Sequence, residues 1–332
     1  MPTTVRSFAK VNLGLYIGAP RPDGFHELRT VYQTVGLHDR ISVGVGVGDG
    51  IELHCTAPGV PLDQGNTCWR MVERAMALLG ASGRVRIEIE KNLPIQGGLG
   101  GASSNAVAAL LALQRELGHE LPLPDQLRLA AEVGSDLPLF LLGGTVLGVG
   151  RGEEVYPLPE LPELCCVLAT PNVAVSTPQA FAAWDRLQGE AKLTVPELSD
   201  RINRFSSAVV LGWKGVLSRP NQLAGRLLSG VPAAEGGGRA ETLLLDLVRT
   251  GMANDFEKVV FSQHPELAEV KRLLQAEGAM YASLSGSGSA LYGFFETRES
   301  GTKAAASLQA AGIRAHLTAT ITRSEYWRQI FV

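Results

Sequence analysis

Between Pro94 and Asn105 the chain reads Pro-Ile-Gln-Gly-Gly-Leu-Gly-Gly-Ala-Ser-Ser-Asn. Gly97, Gly98, Gly100 and Gly101 frame Leu99, and Ala102, Ser103 and Ser104 follow. Glycine lets a backbone N–H approach an oxyanion with no Cβ in the way. Ser103 and Ser104 add hydroxyl donors at the same end. Just before the loop, Val85, Ile87 and Ile89 alternate with Arg86, Glu88 and Glu90, which predicts a half-buried strand. Just after it, Ser103 to Leu117 predicts a long helix. A helix start leaves N–H groups unpaired and carries roughly +0.5 of a charge. A strand, a glycine loop and a helix start in that order therefore make a cradle for phosphate. No Gly-Lys-Ser/Thr follows, so this is not a Walker A loop. No acid stands where a dinucleotide fold would place its ribose ligand. The plain alternative for a glycine run is a flexible connector.

The rest of the chain must position that loop. Ser7 to Gly18, Ile41 to Val47 and Ile51 to Cys55 read as strands, and Arg21-Pro22-Asp23-Gly24 reads as a turn. Asn66 to Leu79 has the apolar spacing of an amphipathic helix. Pro122 and Pro124 precede a further helix, Asp125 to Val133, and Thr145 to Gly150 and Cys165 to Ala169 return to strand. Prolines crowd residues 158–164, which divides the chain into domains 1–160 and 161–332. The second half reads as helix-rich at both ends and irregular between Gly189 and Ala240, with a loop at Pro232 to Arg239. A strand-rich half followed by a helix-rich half predicts an α+β fold.

Composition narrows the function. The 332 residues are 45% hydrophobic and 19% charged, enough apolar material for a core, and the net charge of −3 gives no basic footprint for a nucleic acid. Cys55, Cys68, Cys165 and Cys166 form no C-x-x-C pair, so reduced core thiols are expected rather than disulfides or a zinc site. The first residues lack the apolar core of a signal peptide, and no apolar run approaches the ~20 residues of a membrane helix. A cytoplasmic protein with no membrane or nucleic-acid partner is the expectation. No pattern in the sequence selects an oligomeric state.

Three separated motifs carry a resemblance. Pro94-x-x-x-Gly98-Leu99-Gly100-x-x-x-Ser104 resembles the ATP phosphate loop of the GHMP kinases, the group of galactokinase, homoserine kinase and mevalonate kinase. Ala9-Lys10-Val11-Asn12-Leu13 resembles the first motif of that group, and Ser285-Gly286-Ser287-Gly288-Ser289-Ala290 the third. One branch stands out. Arg21 to Leu28 is similar to the Arg-x-Asp-Gly-Tyr-His-x-Leu segment of the diphosphocytidyl-methylerythritol kinases. Gly134-Ser135-Asp136-Leu137-Pro138-Leu139-Phe140 is similar to that branch's Gly-Ala/Ser-Asp-Val/Ile-Pro-Phe block, and Val175-Ser176-Thr177 with Phe181 also fits it.

The resemblance implies a two-domain fold. An N-terminal ribosomal-S5-like α/β domain and a C-terminal α/β sandwich would hold the active site in the cleft between them. It implies ATP and Mg²⁺ as cofactors and a cytidine-diphosphate methylerythritol alcohol as the small-molecule substrate, phosphorylated on its 2-hydroxyl in non-mevalonate isoprenoid synthesis. Asp136 would be the base and Lys10 its partner. Without the motifs, Asp136 reads equally as a helix cap and Lys10 as a surface lysine. Asn12 would contact substrate near Lys10. Phe25 and His26 would contact cytidine, with Phe181 as the second face of a sandwich. Core packing is the alternative for both phenylalanines, and Phe25 stands where the branch usually has tyrosine. Thr177, Gly286 and Ser287 would also contact substrate, the last two in a tight turn beside the phosphate loop. Asn66 would lie close to adenine or simply cap its helix. No residue is assigned to the metal. Residues 187–251 depart from the family pattern and read as an insertion. The competing readings are a sibling kinase acting on mevalonate, homoserine or a sugar, and a non-catalytic nucleotide-binding protein of the same fold.

Overall fold

The computed structural model describes residues 1–95, 97–191 and 252–332. Two long strands organise the first half. β1 (Thr3–Pro20) and β2 (His26–Gly46) run antiparallel, from Thr3 opposite Val43 to Pro20 opposite His26. The turn at 21–25 joins them: the Arg21 N–H donates to the Phe25 carbonyl at 2.7 Å, and Asp23 Oδ1 accepts the Phe25 N–H at 3.1 Å. The expected strand at Ile41 to Val47 is only the far end of β2. Residues 30–35 of β2 are all buried, and a strand covered on both faces shows no alternation of apolar and polar residues to read.

β3 (Ile51–Cys55), β4 (Arg84–Glu90), β5 (Thr145–Val149) and β6 (Glu154–Pro157) complete a six-stranded sheet ordered β3-β4-β2-β5-β6, with β1 against β2. Three helices, α1 (Thr67–Leu79), α2 (Gly101–Leu117) and α3 (Leu123–Val133), cover this sheet through Met71, Val72, Leu110, Leu113 and Leu129. A 3₁₀ turn, Pro138–Leu141, follows α3.

The second half holds β7 (Cys165–Thr170), α4 (Thr177–Ala191), α5 (Phe256–Gln263), α6 (Pro265–Ala276), β8 (Tyr281–Leu284), β9 (Leu291–Phe295), α7 (Arg298–Ala310), β10 (Arg314–Ala319) and α8 (Arg323–Gln329). This half is therefore more than helices. Its four strands form an antiparallel sheet ordered β10-β7-β9-β8. β7 is the strand expected at Cys165 to Ala169; β8, β9 and β10 escaped the sequence pattern because they are short, and every residue of β9 is buried. The expected insertion lies almost wholly outside the described residues, as do the irregular stretch and the loop at 232–239.

A shared core binds the two sheets face to face: Ala9, Val11, Leu13, Val31 and Val35 of the first sheet meet Cys166, Leu168, Tyr292 and Phe294 of the second. Tyr292 Oη donates to the Asn12 carbonyl at 2.7 Å and Tyr281 Oη to the Leu13 carbonyl at 2.9 Å, so buried phenols tie one backbone to the other. The chain's end then returns to the first core through Tyr326 and Ile330, with Tyr326 Oη on the Phe140 carbonyl at 2.6 Å. All four cysteines are free thiols, Cys68 and Cys166 buried and Cys55 and Cys165 half-buried. Among the described residues, no helix is long and apolar enough to cross a membrane.

Candidate active site

A cleft of about 980 Å³ opens between the start of α2, the β1–β2 hairpin and α4. Its floor is the glycine loop. Gly98 and Gly100 take φ values of 75° and 71°, in the left-handed region that side chains avoid. Space forbids a side chain there as well. A Cβ on Gly98 would lie 2.2 Å from the Ser285 carbonyl oxygen, and one on Gly100 would lie 2.9 Å from both Lys10 Cγ and Phe140 Cζ. The Ser285–Ala290 segment thus packs directly on the loop, sealed by Ser285 Oγ on the Gly98 carbonyl at 3.0 Å and the Ala290 N–H on the Gly97 carbonyl at 3.0 Å.

α1 and α2 both start at the cleft and differ in how their first N–H groups are used. α1 is capped: Asn66 Oδ1 accepts the Cys68 N–H at 2.8 Å while Asn66 Nδ2 donates to the Pro61 carbonyl at 2.8 Å. The capping alternative for Asn66 is the one its amide fulfils, at the cleft wall. α2 begins at Gly100 with no side-chain cap and no acid in its first turn. Its leading N–H groups and positive end remain for an anion. Ser103 opens into the cleft. Ser104, expected to do the same, is only 1% exposed and is not among the lining residues. One residue further along a helix turns a side chain by 100°, which carries Ser104 to the core side.

Lys10 is not a surface lysine. It is 2% exposed, and its ammonium donates to Asn12 Oδ1 at 2.7 Å and lies 3.4 Å from Asp136 Oδ2. Lys10 and Asn12 share a face because they are two apart on β1. Asn12 Nδ2 donates onward to Thr30 Oγ1 at 2.7 Å, and Thr30 Oγ1 donates to the Gly14 carbonyl at 2.8 Å. An ammonium has three donors, so Lys10 keeps capacity for a further oxyanion. Gly286 stands beside it, with the position of a Cβ there 3.4 Å from Nζ. Asp136 caps no helix: the 3₁₀ turn after it has no side-chain cap. Its carboxylate instead faces Lys10 and accepts from Tyr32 Oη at 3.0 Å.

At the other end, Phe25 is 49% exposed, and the Arg151 guanidinium sits over its ring at 5.0 Å, so core packing does not explain Phe25. His26 stacks on Phe181 with ring centroids 5.0 Å apart and planes 12° apart, and its Nε2 lies 2.7 Å from Asp185 Oδ1. Phe181 therefore faces His26 rather than Phe25, with its edge contact to Phe256 at 4.9 Å. Thr177 Oγ1 and Ser287 Oγ pair at 2.7 Å where α4 meets the Gly286 turn.

Of the residues singled out in the sequence, all but Ser104 line this cleft. Sequence reasoning missed Tyr32, Lys91, Arg151 and Asp185, which line it too. Asp185 was findable, since it lies four residues after Phe181 and hence on the same helix face. Lys91, paired with the fully buried Asp39, follows β4 closely enough to the glycine loop to raise suspicion. Tyr32 gave no signal, because a tyrosine inside a strand reads as core.

Fold and site together define a small-molecule kinase of the GHMP class. The models described as GHMP kinases N terminal domain and GHMP kinases C terminal match residues 66–144 and 240–314. A homoserine kinase from Cytophaga hutchinsonii superposes with a TM-score of 0.66 over 96% of this chain and 95% of its own, at 19% identity, a likeness of fold alone. The chain belongs to the family of 4-diphosphocytidyl-2-C-methyl-D-erythritol kinases: it is 39% identical to the enzyme of that name from Solibacter usitatus (strain Ellin6076), over 89% of this chain and 81% of that one. A crystal structure of a 4-(cytidine 5'-diphospho)-2C-methyl-D-erythritol kinase matches with a TM-score of 0.69 and 30% identity, covering 96% of this chain and 98% of its counterpart.

Proposed function

We propose that this chain transfers the γ-phosphoryl group of ATP to the 2-hydroxyl of 4-diphosphocytidyl-2-C-methyl-D-erythritol, a step of non-mevalonate isoprenoid synthesis. The observation that carries the chemistry is the 3.4 Å Lys10–Asp136 pair beside the uncapped start of α2. The loop N–H groups from Gly97 to Ser103 hold the phosphate tail. Asp136 accepts the hydroxyl proton as the new O–P bond forms and the bond between the γ-phosphorus and the β–γ bridging oxygen breaks, leaving ADP. Lys10 meets the charge that spreads over the transferring oxygens, the positioning and electrostatic work that phosphoryl transfer demands.

Mg²⁺ fits this site as a phosphate-borne ion. Among the described residues no cluster of three or more His, Cys, Asp or Glu side chains is placed to hold a metal, and magnesium bound to a nucleotide needs few protein ligands. Ser103, at the helix start, lines the cleft and would be the hydroxyl to hold it. When bound, the ion neutralises charge on the β- and γ-phosphates.

His26, Phe25 and Phe181 form the cytidine end. An aromatic face stacks on a pyrimidine and an imidazole bonds its polar edge. Asn12, Thr177, Gly286 and Ser287 line the path between the two ends. The test is incubation with ATP, Mg²⁺ and the cytidine-diphosphate substrate, read by mass spectrometry for one added phosphate. Phosphorylation of mevalonate, homoserine or a sugar in its place would overturn the substrate assignment. ATP turnover indifferent to every alcohol would overturn the transferase reading.

A further inference from the structure

Asp136 sits on a turn, and the two groups that hold its carboxylate come from different strands. Lys10 faces Oδ2 at 3.4 Å, and the Tyr32 hydroxyl donates to Oδ1 at 3.0 Å. Lys10 is itself moored through Asn12 and Thr30 to the Gly14 backbone. Tyr32 does for Asp136 what Asn12 does for Lys10, and the two moorings are cross-strand partners, Asn12 directly opposite Tyr32. The slot for the phenol is cut to its outline. Tyr32 is 2% exposed, a Cβ on Gly148 would lie 2.5 Å from its Cε2, and one on Gly152 would lie 2.5 Å from its hydroxyl. Burial, and then the charge of Asp136, push the phenol well above the usual range, so it keeps its proton and acts as a donor.

We propose that Tyr32 is a positioning residue of the transfer reaction: it pins one carboxylate oxygen of Asp136 so that the other faces Lys10 and the acceptor hydroxyl. This rests on Asp136 being the base. A freely turning carboxylate would spend less time in line with the hydroxyl, and misplacement of a reacting group costs rate rather than binding.

Tyr32→Phe removes one oxygen and leaves the ring in its slot. Assayed well below its melting temperature, it is expected to lower kcat roughly tenfold with both KM values within about twofold of the parent. In an Asp136→Asn background, the same change should alter the residual kcat by less than about twofold, because the group it acts through is gone. Parental kcat in Tyr32→Phe, a loss confined to KM, or an equal loss in both backgrounds would overturn the inference and leave the base assignment standing. Parental turnover by Asp136→Asn would overturn both.

Discussion

The two ends of the cleft are built differently. At the proposed phosphate end, Lys10 is 2% exposed and tied to Asn12 and Asp136, whose own side chain is 35% exposed, and the glycine loop is clamped between β1 and the Ser285–Ala290 turn with no room for a Cβ at Gly98 or Gly100. At the proposed cytidine end the working groups are side chains from a turn, the start of β2 and one helix, with His26 buried but Phe25 49% exposed and the Asp185 side chain 49% exposed. Phosphoryl transfer needs groups fixed within fractions of an ångström. Recognition of a flat base needs faces and one or two polar edges, and these can come from adaptable surfaces. The contrast teaches that one cleft can divide catalysis and selectivity between a rigid wall and a softer one.

Asp136→Asn gives the hardest test of that division. Turnover should fall roughly 10²-fold or more in a folded enzyme, with little change in KM for the cytidine substrate. A loss expressed mainly in that KM would merge the two ends into one. Gly98→Ala comes next. Its Cβ would meet the Ser285 carbonyl oxygen at 2.2 Å from a backbone at φ 75°. Strain of about 1–3 kcal/mol should raise the KM for ATP roughly tenfold, and steady-state kinetics with each substrate varied in turn would show whether the cytidine KM stays put, as the contrast requires. Phe181→Ala should do the reverse. Losing the ring on which His26 stacks should loosen the His26 contact and raise the cytidine-substrate KM several-fold, with the KM for ATP unchanged. An equal rise in both would mean that α4 supports the whole cleft.

The smallest effect concerns the scaffold under the rigid wall. Burial pushes the Cys68 thiol up to about 12 and raises Cys166 well above the usual thiol range. At pH 8 both are protonated, and the thiolate is the reactive form. Native protein treated with an alkylating reagent should therefore label at Cys55 first, more slowly at Cys165, whose thiol partial burial also raises, and at Cys68 and Cys166 only after unfolding, as peptide mass spectrometry would read. Early labelling of Cys166 would mean that the core shared by the two sheets opens on its own.

Much of the site was legible in the residues because its chemistry is local. A strand, four glycines and a helix start lie within one short segment, and backbone N–H groups need no distant partner to bind phosphate. The family resemblance linked Lys10, Asp136 and the Ser285–Ala290 turn, but no periodicity relates residues so far apart in the chain. β4 announced itself through alternating burial, whereas β9 did not, because strands packed on both faces lose the alternation. Ser104 misled because its neighbour Ser103 is identical in type, and only the helix phase decides which of the two meets the cleft.

What the sequence determined by itself was therefore the set of local devices: the glycine loop before a helix start, the turn at 21–24 and, as one of two alternatives, the cap at Asn66. Tertiary structure decided which distant groups meet. It brought Tyr32 to Asp136 and His26 to Phe181 and Asp185. The physical reason is that a hydrogen bond between strands or helices depends on register and packing across the whole core, while a glycine's freedom or a helix end's charge belongs to the few residues that carry it.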